Sequence, residues 1–70
     1  MTFSEAQTEM QNGATVSRSS WYDAGTSTYL TVLYLDDGAL KLDSGELVGV
    51  LGWVPSAEEA AATDWVVVGA

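Results

Sequence analysis

Apolar residues recur along this chain at two periods, and each change of period marks a new element. Phe3, Ala6 and Met10 fall three and four positions apart, which is one stripe of a helix. Thr2 and Glu5, three residues apart, carry the side chains that satisfy each other's orphan backbone N–H groups at a helix start. Asn12 and Gly13 offer the left-handed residue that commonly ends a helix, so the spacing predicts one over residues 3–12. Thr15 to Ser19 is short, β-branched at its start and bounded by Gly13 and Ser19-Ser20, which predicts a modest strand. Thr28 to Leu35 reads Thr-Tyr-Leu-Thr-Val-Leu-Tyr-Leu, too apolar on both faces for an exposed strand, and is expected to be the central one.

Asp36-Asp37-Gly38 and Asp43-Ser44-Gly45 read as turns around strands at 39–42 and 46–51, giving a three-stranded meander. Ser56 and Glu59 repeat the capping pattern ahead of Ala60-Ala61-Ala62, which predicts a second, short helix. Trp65 to Val68 closes the pattern as a buried strand. The expectation is a single compact acidic α+β domain over residues 1–70. It has a small antiparallel sheet of about five strands, an N-terminal helix and a second short helix.

Composition narrows the chemistry. A chain of 70 residues buries only about 60% of the surface its unfolded form exposes, so its stability is marginal without a staple, a metal or a partner subunit. With no cysteine and no histidine, disulfides, thiolate or imidazole zinc sites, and the Cys-His and Ser-His-Asp catalytic arrangements are all excluded. The carboxylates have structural explanations: Asp36, Asp37 and Asp43 as turn residues, and Glu5, Glu58 and Glu59 in first helical turns, where the macrodipole favours anions. Asp36-x-Gly38 and Asp43-x-Gly45 lack the remaining oxygen ligands of a calcium loop, and Gly49 and Gly52 lack the lysine and helix start of a phosphate loop. The reading is therefore no enzyme, no metal and no cofactor. With no basic, apolar leader pattern and no long apolar run, the expected setting is the cytoplasm.

Charge points to a partner. Ten acids face two basic residues, a formal net charge of −8, and between Asp23 and Asp64 eight acids are opposed only by Lys41. Such a body repels anionic lipid and nucleic acid, so neither membrane nor direct nucleic-acid binding is expected; a basic protein surface is. A compact chain of this length spans roughly 28 Å, over which duplex DNA presents about 16 phosphate charges. Eight net charges imitate part of one such face. Trp21, Trp53 and Trp65 read first as core residues, Trp21 being the exception most open to a surface role because it precedes a loop-rich stretch.

Two resemblances follow. Met1-Thr2-Phe3 with Glu5-Ala6, then Gly13, Val16, Arg18 and Trp21, later Asp43-x-Gly45, Trp53, Ser56 and the closing Asp64-Trp65-Val66-Val67-Val68 resemble the nucleotide-sequestering Thoeris anti-defence proteins of phages. That resemblance implies a phage- or prophage-encoded α+β scaffold, acting in a bacterial host cell, whose oligomers trap cyclic or ADP-ribose-like immune signals in pockets between subunits, with Trp21 stacking, Asp64 as a polar contact and Arg18 beside them. Small size, acidity and the lack of enzymatic residues look, at class level, like anti-CRISPR inhibitors. The leading expectation is the second: carboxylates of Asp36, Asp37, Asp43, Glu46, Glu58 and Glu59 block a basic DNA-binding, PAM-reading surface of a Cas effector, with type I Cascade as the expected target. The signal-sequestering role through Arg18, Trp21 and Asp64 is the alternative.

The metal reading has a direct check. Calorimetric titration with calcium, magnesium or zinc is expected to give no stoichiometric sub-micromolar heat.

Overall fold

The helices start where their capping residues put them. In the computed structural model, which describes residues 1–69, α1 spans Phe3–Gln11 and α2 spans Ala57–Ala61. Thr2 Oγ1 accepts from Glu5 N and Glu5 Oε1 accepts from Thr2 N; Ser56 and Glu59 make the same reciprocal pair at α2. Seven strands follow the chain: β1 Thr15–Arg18, β2 Tyr22–Asp23, β3 Thr28–Tyr29, β4 Thr31–Asp36, β5 Ala39–Ser44, β6 Leu47–Leu51 and β7 Trp65–Gly69. Five of them form one antiparallel sheet in the order β6-β5-β4-β1-β7, and β2 with β3 form a separate small hairpin. The α+β class, both helices and the five-stranded antiparallel sheet are as the sequence pattern predicts.

One strand is not. The expected central strand over residues 28–35 is broken at Leu30, which is 55% exposed and whose N–H donates to Trp21 O at 3.0 Å. That bond turns Thr28 and Tyr29 away from the large sheet to pair with Tyr22 and Asp23. The hairpin is held at its tip by Asp23, whose carboxylate accepts from Gly25 N and Thr26 Oγ1. Across its strands the Tyr22 and Tyr29 rings meet edge to face, 5.1 Å apart. A continuous apolar run carries no mark of such a break, because the residues on both sides of it are good strand formers.

The turns of the meander also sit differently. Asp37 and Gly38 alone form the β4–β5 loop, both at positive φ (54° and 78°), the mirror-image turn whose twist suits a hairpin and which Asp-Gly favours. The next loop is Gly45-Glu46, with Gly45 at φ 60°. Asp36 therefore belongs to β4, Asp43 and Ser44 to β5, and Glu46 to the turn rather than to a strand. β5 runs on past Leu42 because polar pairs hold its end. Thr31 and Ser44 hydroxyls lie 3.1 Å apart, and Asp43 Oδ1 accepts from Tyr34 Oη at 2.9 Å and from Gly49 N at 2.8 Å. Leu42 faces Val50 and Ser44 faces Leu47, which leaves Val48 and Gly49 together opposite Asp43. This is a β-bulge, with Gly49 at φ 67°, a conformation that costs a side-chain-bearing residue energy.

α1 covers one face of the sheet. Phe3, Ala6 and Met10 bury against Val16, Leu33, Leu42 and Trp65. Among the described residues the one buried polar residue, Ser17, donates its hydroxyl to Thr31 O, so it brings no unpaired group into the interior. The whole has a radius of gyration of 11.3 Å.

The Asp43 contact is testable. Asp43→Ala removes the acceptor shared by Tyr34 and the bulge, and is expected to lower stability by about 1–3 kcal/mol in urea unfolding with the slope unchanged. Tyr34→Phe leaves Gly49 with its acceptor and is expected to cost less, about 1 kcal/mol.

Candidate functional site

Arg18 ends β1 and Asp64 immediately precedes β7, and antiparallel pairing of those strands brings the two together across 46 positions of sequence. Arg18 Nε donates to Asp64 Oδ1 at 2.8 Å. The other carboxylate oxygen accepts from Ser19 Oγ at 3.2 Å and Ser20 N at 3.4 Å, while Asp64 O accepts from Ser19 N at 2.9 Å. One aspartate thus fixes the whole 3-10 turn Ser19–Trp21 against the start of β7. That turn delivers Trp21, whose ring meets Trp65 edge to face at 5.3 Å and lies 5.6 Å from the Arg18 guanidinium carbon. Arg18 also lies 6.0 Å from the Trp65 ring, so the cation sits within reach of two indoles. Behind Trp65, Phe3 packs at 5.0 Å, and Trp53 packs on Phe3 at 6.2 Å.

The electrostatics follow from the contacts. The hydrogen bond from Arg18 holds the Asp64 carboxyl below the usual carboxylate range, assisted by the Arg18 charge and by Ser20 and Ser19. Only the Nε–H of Arg18 is spent on this. Its two terminal nitrogens make no hydrogen bond among the described residues and keep some contact with solvent, in a side chain that is 15% exposed. The other basic side chain, Lys41, is taken by Asp36 on the neighbouring strand, a bond that raises the lysine pKa. Arg18 is consequently a charged donor with N–H groups to spare, beside a half-buried indole.

Of the six acids expected to form a blocking surface, Asp36, Asp37, Asp43 and Glu46 lie on the β4–β6 meander and Glu58 and Glu59 on α2. Asp36 and Asp37 stand at one end of β5 and Glu46 just beyond the other, roughly 20 Å apart along a six-residue strand. Asp43 is spent on Tyr34 and Gly49, Asp36 on Lys41, and Glu59 on its own helix cap, leaving the Asp37, Glu46 and Glu58 side chains as exposed carboxylates. Among the described residues no group of three or more carboxylates is close enough to hold a metal ion, and no helix is long and apolar enough to cross a membrane. A small pocket of about 110 Å³ lies elsewhere, between α1 and the β4–β5 hairpin, lined by Gln7, Met10, Gln11, Leu35 and Leu40.

Sequence reasoning placed Arg18, Trp21 and Asp64 in one reading but missed Ser19, Ser20 and Trp65, which orient them. The signal was available in the first two: small hydroxyl residues directly after Arg18 suit a turn that needs a carboxylate partner.

The domain is a small α+β unit whose Arg18, at the end of the strand next to edge strand β7, lies among aromatic rings. The family model for the Thoeris anti-defense 2-like domain matches residues 1–68, and the chain belongs to that family. No curated protein and no solved structure gives a match. The family match stands behind the Thoeris resemblance; the anti-CRISPR resemblance has no support from it.

The Asp64 contacts predict a pH dependence. A carboxyl held below its ordinary pKa of about 3.9 adds stability that is complete above that value and is lost as the pH falls through the depressed one. Urea midpoints followed by tryptophan fluorescence are expected to drop for the wild type below about pH 4. The difference between wild type and Asp64→Asn is expected to shrink over the same interval.

Proposed function

We propose that this protein acts in counter-defence against a Thoeris-type bacterial immune system by holding a nucleotide immune signal, a cyclic dinucleotide or cyclic ADP-ribose isomer, at the Arg18–Trp21–Asp64 cluster. The observation that carries the reading is the state of Arg18. Its Nε is anchored to Asp64 at 2.8 Å, its guanidinium carbon lies 5.6 Å from the Trp21 ring centroid, and its terminal nitrogens make no hydrogen bond among the described residues. A guanidinium fixed in this way presents a fork of N–H donors that matches phosphate oxygens, with little further entropy lost on binding. The adjacent indole offers a face for a base or an apolar sugar edge, worth about 1–3 kcal/mol where stacking is complete. Family membership supports the same role.

The chain's −8 charge opposes a phosphate-bearing ligand, and this makes the single free guanidinium decisive. At physiological salt the screening length is about 8 Å, so distant carboxylates are damped while Arg18 acts in contact. Sequestration requires no bond making, which fits a chain without histidine or cysteine.

Thermal unfolding with ligand tests the reading. Cyclic ADP-ribose isomers or cyclic dinucleotides at micromolar concentration are expected to raise the melting temperature by several degrees, as mass action requires of a ligand that binds only the folded chain. The rise is expected to vanish in Arg18→Gln and to fall in Trp21→Ala. No rise with any of these ligands overturns the proposal.

A further inference from the structure

The chain has one asparagine, Asn12, and a glycine follows it. An asparagine side chain is at its most reactive in front of glycine, because no side chain shields the backbone nitrogen that attacks it, and asparagine is among the least durable residues of proteins. The glycine has a structural reason. Gly13, at φ 95°, closes α1: its N–H donates to Met10 O at 3.0 Å and the Ala14 N–H donates to Glu9 O at 3.0 Å, the two bonds of a Schellman cap. No contact gives the asparagine one. Asn12 has backbone angles open to any residue, φ −90° and ψ 9°, it is exposed, and its side chain makes no hydrogen bond among the described residues.

We infer that Asn12 is a self-modification site gated by the α1 cap, so that the chain passes to its aspartate and isoaspartate forms only through molecules in which the last turn of α1 has opened. The step needs water alone. Gly13 N gives up its proton and attacks Asn12 Cγ, the Cγ–Nδ2 bond breaks and that nitrogen leaves as ammonia, and water then opens the five-membered imide at either carbonyl. In the folded chain the attack is blocked twice. Met10 O holds the Gly13 N–H, and at ψ 9° the Gly13 nitrogen nearly eclipses the Asn12 nitrogen instead of lying beneath the Asn12 side chain. Rotating it there about the Asn12 Cα–C bond pulls Gly13 and Ala14 off their acceptors. Helix ends are where such opening costs least, so conversion is slowed rather than stopped. Neither product restores the original cap. Isoaspartate lengthens the main chain by a methylene ahead of Gly13, and both products put a carboxylate at the negative end of α1, whose last turn holds no basic residue. Since α1 supplies Phe3, Ala6 and Met10 to a small apolar core, a loosened end weakens the whole domain, and the mark accumulates irreversibly in chains that open.

Intact-mass spectrometry of the full chain, held in warm, mildly alkaline buffer with and without denaturing guanidinium chloride, reads the exchange of –NH2 for –OH. Conversion is expected in both and about tenfold or more faster in denaturant, the factor that two cap hydrogen bonds supply. Peptide mapping with an isoaspartate-specific methyltransferase is expected to place the product at position 12, and Asn12→Gln is expected to remove it. Met10→Ala loosens the packing under the last turn without touching the reacting atoms; it is expected to speed conversion in native buffer and to leave the rate in denaturant unchanged. Equal rates with and without denaturant, no conversion of the unfolded chain, or a native rate indifferent to Met10→Ala overturns the inference. None of these measurements uses a nucleotide, so they stand apart from the sequestration reading.

Discussion

Burial of Trp65 is the contact through which the remote parts of this molecule reach one another. Its side chain is 1% exposed, its indole N–H donates to Glu59 O at 3.1 Å, and its backbone N–H donates to Met1 O. Phe3 of α1 packs on one side of the ring and Trp21 of the 3-10 turn on another. A single indole therefore joins the first helix, the second helix, the edge strand and the turn that carries Trp21. In a domain this small, truncating such a residue forfeits about 3–5 kcal/mol, most of what a domain of this size has. The ring is also the surface against which the Arg18 guanidinium is set, so the packing that holds the fold together is the packing that shapes the candidate site.

Scarcity of positive charge is the second constraint. Two cations serve ten acids, and the structure uses them differently. Lys41 is spent across the β4–β5 hairpin on Asp36, a part-exposed pair of small energetic worth. Arg18 is anchored through one nitrogen and keeps the rest free. Several acids are likewise occupied: Asp43 by a tyrosine and a bulge amide, Asp23 by its own turn, Glu5 and Glu59 by helix caps. Several of the negative charges thus also carry local structural duties.

Helix starts, the α+β class and the five-stranded antiparallel sheet were determined by the sequence alone, because capping pairs, Asp-Gly loops and short-period alternation act over a few residues. Asp37-Gly38 reads as a hairpin turn in any context. The break at Leu30, the extension of β5 to Ser44 and the bulge at Gly49 depend instead on contacts with Trp21, Thr31 and Tyr34, which lie on other elements. The site divides in the same way. A family resemblance pointed to Arg18, Trp21 and Asp64, but residue types alone do not say that a guanidinium keeps free donors or that a carboxylate is already spent. Those facts are set by strand pairing, since only the β1–β7 register brings positions 18 and 64 within hydrogen-bond distance, and a turn of three residues then places an indole beside them.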